Sequence, residues 1–115
     1  SLLHPGYSGV TLGLFHGSVP HLLVLCHVAG ATCIDGFEEH PIPPLREVVE
    51  LYEKASLPVR RSKVAAIGVN TRFIADEAKA RSAVAAIEAE TGLVADDPVR
   101  FGPARLVDAV LAARA

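Results

Sequence analysis

The stretch Leu22-Leu23-Val24-Leu25-Cys26 decides the fold, because it is a continuous apolar run with turn-forming or polar residues on both sides. Val64-Ala65-Ala66-Ile67-Gly68-Val69 repeats this pattern directly before Asn70. Unbroken apolar runs of this length are typical of strands that are buried on both faces, as in parallel sheets covered by helices. The two stretches therefore predict neighbouring interior strands of a parallel sheet.

Segments with apolar residues at helical spacing alternate with these runs. Prolines stand where such helices begin, and Thr91-Gly92 supplies a stop for one of them. Besides the two strands, the expected elements are a proline-rich loop over residues 41–44, a helix over about 44–55, a helix over about 76–90, a short extended piece over 93–99 and a helix from residue 103 onward.

This alternating order predicts the α/β class: a parallel sheet with flanking helices and right-handed crossovers. A length of 115 residues with 50% hydrophobic side chains suits one domain with its own core. Two strong strands and one weak strand are few for such a sheet. We therefore expect residues 1–115 to form a single but incomplete C-terminal domain of a larger enzyme, with further strands upstream of Ser1.

Charge and hydropathy restrict the possible partners. Eleven basic residues stand against thirteen acidic ones, and Arg60, Arg61 and Lys63 form the largest basic cluster, which is too small to predict nucleic-acid binding. The longest apolar run is far below the roughly 20 residues that cross a bilayer, and the first residues lack a cationic leader. A small-molecule substrate, homo-oligomeric assembly and a cytoplasmic location are the expectations.

Polar side chains follow each predicted strand, where ligands bind in open α/β sheets. They are His27 after the first strand, Asn70, Thr71 and Arg72 after the second, and Asp96 and Asp97 after the extended piece. Asn70 can donate to and accept from a base or carboxamide, and Arg72 can pair with phosphate or carboxylate. The alternative is structural, with Asn70 capping a turn and Arg72 solvated.

The opening stretch, residues 4–18, reads as a loop that enters a short helix. Such a junction can bind an anion through free backbone N–H groups, with hydroxyls from Ser8 or Thr11 and with His4 as a general acid or base. The alternative is a structural turn in which Ser8 is the N-cap of the helix.

No metal site is predicted, because the five histidines and two cysteines form neither a C-x-x-C nor an H-E-x-x-H arrangement. Cys26 and Cys33 read as free thiols, with Cys26 packed in the core. The sequence also contains no G-x-x-x-x-G-K-[ST] and no G-x-G-x-x-G motif, so no cofactor can be assigned to this chain alone.

Four segments together resemble one known family, in which an HPxYSxVTLGLxHGS string is the most specific. The segments are residues 4–18, 24–27, 41–45 and 97–102. The family is bacterial and archaeal, was formerly of unknown function and is often labelled NAD-dependent epimerase/dehydratase, and its characterised activity is D-glutamate N-acetylation. The resemblance implies an N-terminal Rossmann-like domain and a C-terminal domain of P-loop NTPase type, of which this chain is similar to the second half.

The resemblance also implies roles for residues of the opening stretch. In relatives, a Gly-Gln-Gly-Ser stretch leads into the His-Pro motif, so Ser1 would correspond to that serine, and Ser1, His4 and Ser8 would face the phosphate or acyl-donor site. After the strand, relatives tend to read Cys-His-Glu with a later Arg. This sequence has Val28 and Ala31 instead, which removes two charged groups.

The leading hypothesis is acyl transfer to a small amino acid, with acetyl-CoA or a nucleotide bound mainly by upstream residues. Its catalytic residues would be His4 and Ser8, and its cofactor-binding residues would be Ser1, Thr11, His27, Asn70 and Arg72. Two alternatives remain: an NAD-dependent epimerase or dehydratase, and a non-catalytic nucleotide-binding or assembly domain.

Overall fold

The computed structural model describes residues 1–114. In chain order its elements are α1 (Ser8–Ser18), β1 (Leu22–Val28), β2 (Cys33–Ile34), β3 (Phe37–Pro41), α2 (Leu45–Lys54), β4 (Lys63–Asn70), α3 (Glu77–Thr91), β5 (Val94–Asp96) and α4 (Ala104–Arg114). Three strands form a sheet with flanking helices, so the α/β class is confirmed.

Strand β4 lies at the centre of this sheet, in the order β1-β4-β5, and both pairings are parallel. Leu25 lies opposite Ile67, and Ile67 lies opposite Ala95 on its other side. Ile67 and Ala95 are fully buried. The predicted parallel pairing of the two apolar stretches is confirmed, and the weak extended piece contributes the third strand.

Strand β1 is less enclosed than the sequence predicts. Leu25 is buried, but Val24 and Cys26, which point to the other face, are exposed. Gly68 of β4 lies beside both of them and adds no side chain. The expectation that Cys26 is packed in the core was wrong, because α4 contacts chiefly β4 and β5 and an apolar run does not reveal which face a helix covers.

Helices α2 and α3 contact each other and cover the face of the sheet that carries the main core. They contribute Leu45 and Val48 from α2, and Val84 and Ile87 from α3. Helix α4 buries Leu106 outside that cluster, consistent with a position on the opposite face. Among the described residues, no helix combines the length and the apolar character that crossing a bilayer requires.

Most helix boundaries agree with the sequence pattern to within a residue. The carboxylate of Asp76 caps α3 by accepting a hydrogen bond from the Lys79 backbone N–H at 3.0 Å. Gly92 ends the same helix in the left-handed conformation, with φ of 70°, which glycine adopts without steric cost. Helix α4 begins directly after Pro103.

The structure does not confirm Ser8 as the N-cap of α1. Tyr7 is the N-cap and makes no side-chain cap, while Ser8 is already the first helical residue. The backbone N–H groups of Tyr7 and Ser8 both donate to the His4 carbonyl, so the preceding turn supplies the first acceptor. Helix α1 is largely apolar but has no buried residue, and Val10 and Leu14 are more than 60% exposed.

The hairpin of β2 and β3 was not predicted. Its strands pair antiparallel, with Ile34 opposite Phe37 and Cys33 opposite Pro41, and Gly36 has a positive φ. The predicted loop over residues 41–44 is therefore too long by one residue. Pro41 fits the end of this hairpin strand because an edge position does not require its missing N–H donor.

Replacing Ile67 with alanine tests the central position of β4. Since this side chain is fully buried in the main core, Ile67→Ala should lower the free energy of unfolding by about 2–5 kcal/mol. Val107→Ala, at a half-exposed position on α4, should change it by less than about 0.5 kcal/mol. Urea unfolding of the purified protein measures both, and equal losses would contradict the described core.

Candidate functional site

The carboxyl ends of the parallel strands form an open groove of about 570 Å³. We call it the edge groove; its walls are residues 26–28 at the end of β1, residues 68–72 at and just beyond the end of β4, and residues 97–100 after β5. A second, smaller cavity of about 210 Å³ lies between the β1 end, the β2–β3 hairpin and α2, and we call it the hairpin cavity. The two cavities share the segment 26–28, so a ligand in one would lie next to a ligand in the other.

A buried carboxylate, Asp97, organises the far wall of the edge groove. Its Oδ2 accepts hydrogen bonds from the Thr71 backbone N–H at 3.0 Å and from the Thr71 hydroxyl at 2.6 Å. Its Oδ1 accepts from the backbone N–H groups of Val99 and Arg100, both at 3.0 Å. Burial alone would raise the pKa of Asp97, but these hydrogen bonds outweigh it and lower the pKa below its ordinary value.

The guanidinium of Arg100 holds the loop that follows β4. Its Nη1 donates to the Thr71 hydroxyl at 3.2 Å and to the Ile74 carbonyl at 2.6 Å, and its Nη2 donates to the Ala75 carbonyl at 2.8 Å. Nη1 also lies 3.3 Å from the Thr71 carbonyl. Arg100 therefore serves the architecture of the groove through contacts within the protein.

Asn70 and Arg72 stand at the mouth of the groove, and both are exposed. The side-chain oxygen of Asn70 accepts a hydrogen bond from the Arg72 backbone N–H at 3.0 Å, which makes it the cap of a turn, as the structural alternative proposed. The Arg72 guanidinium stacks over the Phe73 ring at 4.6 Å. Both residues line the edge groove, so a ligand-binding role for either remains a prediction.

His27 occupies the junction of the cavities. It lines the edge groove, the hairpin cavity and a third cavity of about 460 Å³ near the α2 N-terminus, which also contains Glu90. Burial lowers the pKa of His27, and the negative charge of Glu90 offsets part of that effect. The neutral imidazole is therefore favoured near neutral pH.

The opening segment reaches the hairpin cavity through Ser1. The Tyr52 hydroxyl donates to the Ser1 hydroxyl at 3.2 Å and accepts from the Leu2 backbone N–H at 3.0 Å. Thr11 accepts a hydrogen bond from the Ser1 nitrogen at 3.0 Å and donates to the Tyr7 carbonyl at 2.9 Å. Thr11 supports Ser1 and does not line either cavity itself.

His4 and Ser8 lie outside the walls of these cavities. The Nδ1 of His4 accepts a hydrogen bond from the Gly6 backbone N–H at 3.0 Å, and its ring packs against Tyr7 at 4.6 Å and Phe37 at 4.9 Å. The structure thus brings Ser1, His27, Asn70 and Arg72 to adjoining cavities and does not bring His4, Ser8 or Thr11 to them. The catalytic roles proposed for His4 and Ser8 remain predictions.

Sequence reasoning singled out neither Arg100 nor Glu90, although both shape this site. Arg100 lies 29 residues from Thr71, and Glu90 lies 45 residues from its partner Leu45. The cysteines are free thiols as expected. Within residues 1–114, no cluster of three His, Cys, Asp or Glu side chains is arranged to hold a metal ion.

Replacing Asp97 with asparagine tests the carboxylate network. The amide would point donors at groups that already donate, so Asp97→Asn should cost about 1–3 kcal/mol of unfolding free energy at pH 7. Because the folded-state pKa is lowered, the carboxylate stabilises the fold above its unfolded pKa of about 4, and this contribution disappears as pH falls through the lower folded value.

Urea unfolding between pH 2 and pH 7 measures this dependence. The difference between Asp97→Asn and the unmodified protein should shrink as the solution becomes more acidic. Asp108→Asn, at an exposed position on α4, is the matched control and should change little at any pH. A pH-independent loss for Asp97→Asn would contradict an ionised, hydrogen-bonded carboxylate.

Comparison with known proteins places this geometry in a family. Residues 1–107 match the model described as a domain of unknown function (DUF1611_C), P-loop domain. The chain is 38% identical over 97% of its length to a D-glutamate N-acetyltransferase of Tritonibacter scottomollicae, and 38% identical over 67% to one of a Pseudoalteromonas species. It covers 34% and 24% of those relatives, so it spans about a third or less of their length.

A solved structure shows the same architecture. The crystal structure of a DUF1611 family protein from Anabaena variabilis matches with a TM-score of 0.91 and 46% identity, covering 97% of this chain and 33% of the solved one. The chain therefore belongs to the DUF1611 family and forms part of its C-terminal P-loop domain.

Proposed function

We propose that this chain is part of an acyltransferase that transfers the acetyl group of acetyl-CoA to D-glutamate. The observation that carries the proposal is the 38% identity over 97% of the chain to a D-glutamate N-acetyltransferase. The two acetyltransferase relatives favour acyl transfer over the epimerase or dehydratase alternative.

The geometry supports a reaction between two substrates of different size. The edge groove, at about 570 Å³, is in the range of sites that hold a large part of a cofactor, and the hairpin cavity, at about 210 Å³, suits a small amino acid. Because both cavities share the segment 26–28, a donor and an acceptor bound in them would meet at His27. Proximity of this kind is a large part of the rate gain in group transfer.

Charge at the groove mouth favours a phosphate-bearing donor. Arg72 is exposed beside Asn70, whose amide nitrogen is left available once its oxygen caps the turn. A guanidinium can pair with phosphate, and an amide can hydrogen-bond a base edge. We assign these two residues and His27 to the donor. Ser1 borders the adjoining hairpin cavity and would reach the donor from there, and Thr11 would act through Ser1. We retain His4 and Ser8 as candidate catalytic residues of the opening segment.

The hairpin cavity contains two positions at which the family resemblance implies charged residues that this sequence lacks. Val28 and Ala31 both line it, and its exposed lining is mostly apolar. Without charged groups at these two positions, the cavity wall would bind a second carboxylate on the acceptor less tightly. The acceptor preference should therefore be measured over a panel of D-amino acids, with both acidic and apolar side chains.

Turnover by the purified full-length protein that contains residues 1–115 tests the proposal directly. Mass spectrometry should detect N-acetylated D-glutamate only when acetyl-CoA is present. Arg72→Gln should raise KM for acetyl-CoA roughly tenfold, which corresponds to about 1.4 kcal/mol, with kcat little changed. Arg46→Gln, at an exposed position on α2, is the control and should leave both constants unchanged. Absence of turnover with every D-amino acid would refute the proposal.

The role of the opening segment has its own test. His4→Ala should reduce turnover, because it removes the ring that accepts the Gly6 N–H and packs against Phe37. His21→Ala, at an exposed position at the opposite end of β1, should retain it. Steady-state rates at saturating acetyl-CoA distinguish the two variants, and full activity of His4→Ala would remove His4 from the catalytic residues.

A further inference from the structure

The position of His27 is unusual among the histidines of this chain. It is the next-to-last residue of β1, on the same face as the buried Leu25 and therefore toward α2 and α3. Its side chain is half-buried, and it lines three adjoining cavities. A ligand that bridges the edge groove and the hairpin cavity would pass this imidazole.

Glu90 lines the third of those cavities, and a hydrogen bond from α2 fixes its side chain. Its Oε1 accepts a hydrogen bond from the Leu45 backbone N–H at 2.9 Å, which satisfies one of the free donors at the α2 N-terminus. Within residues 1–114, no hydrogen bond is formed by its Oε2. The carboxylate is thereby held beside the cavity wall that contains His27.

We propose that His27 is the general base of the acyl transfer and that the charge of Glu90, which lines the same third cavity, stabilises its imidazolium. This inference rests on the proposed function, and it assigns the proton transfer to His27 rather than to His4. Histidine is the side chain that most often serves as a general base, and a nearby carboxylate favours its protonated form.

The reaction balances with these groups. The uncharged amine of the D-amino acid attacks the carbonyl carbon of the acetyl thioester, and an N–C bond forms while the N–H proton passes to the neutral imidazole of His27. The tetrahedral intermediate then collapses as the C–S bond breaks. The leaving thiolate takes the proton from the imidazolium, which restores His27 for the next turnover.

Other ionisable groups lie around His27 on the side of the hairpin cavity. Tyr52, Asp35 and Cys33 face it across the hairpin cavity, and Cys26 precedes it on its own strand. Tyr52 is already hydrogen-bonded to Ser1 and Leu2.

Across the edge groove, the charged groups that face His27 are engaged in the loop architecture. Asp97 accepts four hydrogen bonds, and Arg100 donates to the loop after Thr71. Arg72 stacks on Phe73. Burial lowers the pKa of His27, and the negative charge of Glu90 offsets part of that effect.

The test compares pH profiles of kcat/KM for acetylation of D-glutamate. His27→Gln should lower kcat by about 100-fold or more and abolish the acidic limb of the profile. Glu90→Gln keeps an oxygen for the Leu45 N–H but removes the charge, so the acidic limb should move to lower pH. Glu88→Gln, two residues earlier and paired with Arg105, is the matched control and should leave the limb in place.

A second measurement covers the case in which His27→Gln destabilises the fold. NMR titration of histidine-labelled protein should show His27 ionising at lower pH than an ordinary histidine, and at lower pH still in Glu90→Gln. An unmoved acidic limb or an unmoved His27 titration in Glu90→Gln, with normal turnover of the unmodified protein, would overturn this inference alone. Absence of turnover in the unmodified protein would overturn both this inference and the proposed function.

Discussion

The parallel backbone pairing of β1 with β4 is the constraint on which the rest of this structure depends. It sets Leu25 against Ile67 in the core and continues until His27 lies opposite Val69 and Val28 opposite Asn70. Because the two strands run in the same direction, their polar ends emerge at one edge of the sheet. An antiparallel pairing of the same residues would send His27 and Asn70 to opposite edges, and no shared site would exist.

The parallel architecture follows from local sequence features, and these are why it could be predicted. The apolar runs at residues 22–26 and 64–69 identify the paired strands. Asp76 begins α3 with a side-chain cap, and Gly92 ends it in a left-handed backbone conformation. The hairpin escaped prediction because β2 has only two residues, too few to show a period. The exposure of Cys26 escaped it because a run of apolar residues marks both faces of a strand alike.

The site was only partly predictable, for a different reason. His27, Asn70 and Arg72 could be identified because each stands at or just beyond the carboxyl end of an apolar run. The groups that hold them in place come from distant positions: Glu90 reaches Leu45, and Asp97 and Arg100 reach Thr71. Such contacts produce no periodic pattern in the sequence, because they form only where the fold brings distant segments together. The sequence motif also pointed to His4. In the structure its ring packs against Tyr7 and Phe37 and lines neither cavity.

Arg100 illustrates how geometry can make a residue irreplaceable even by one of the same charge. Its planar group spans the acceptors of three loop residues, Thr71, Ile74 and Ala75, with two nitrogens that diverge from one carbon. The ammonium of lysine is a single point on a flexible stem, and it could not reach acceptors on both sides at once. A homologue with lysine at position 100 would therefore lose the contacts that hold the loop with Arg72. Other residues of the same turn would have to replace those contacts.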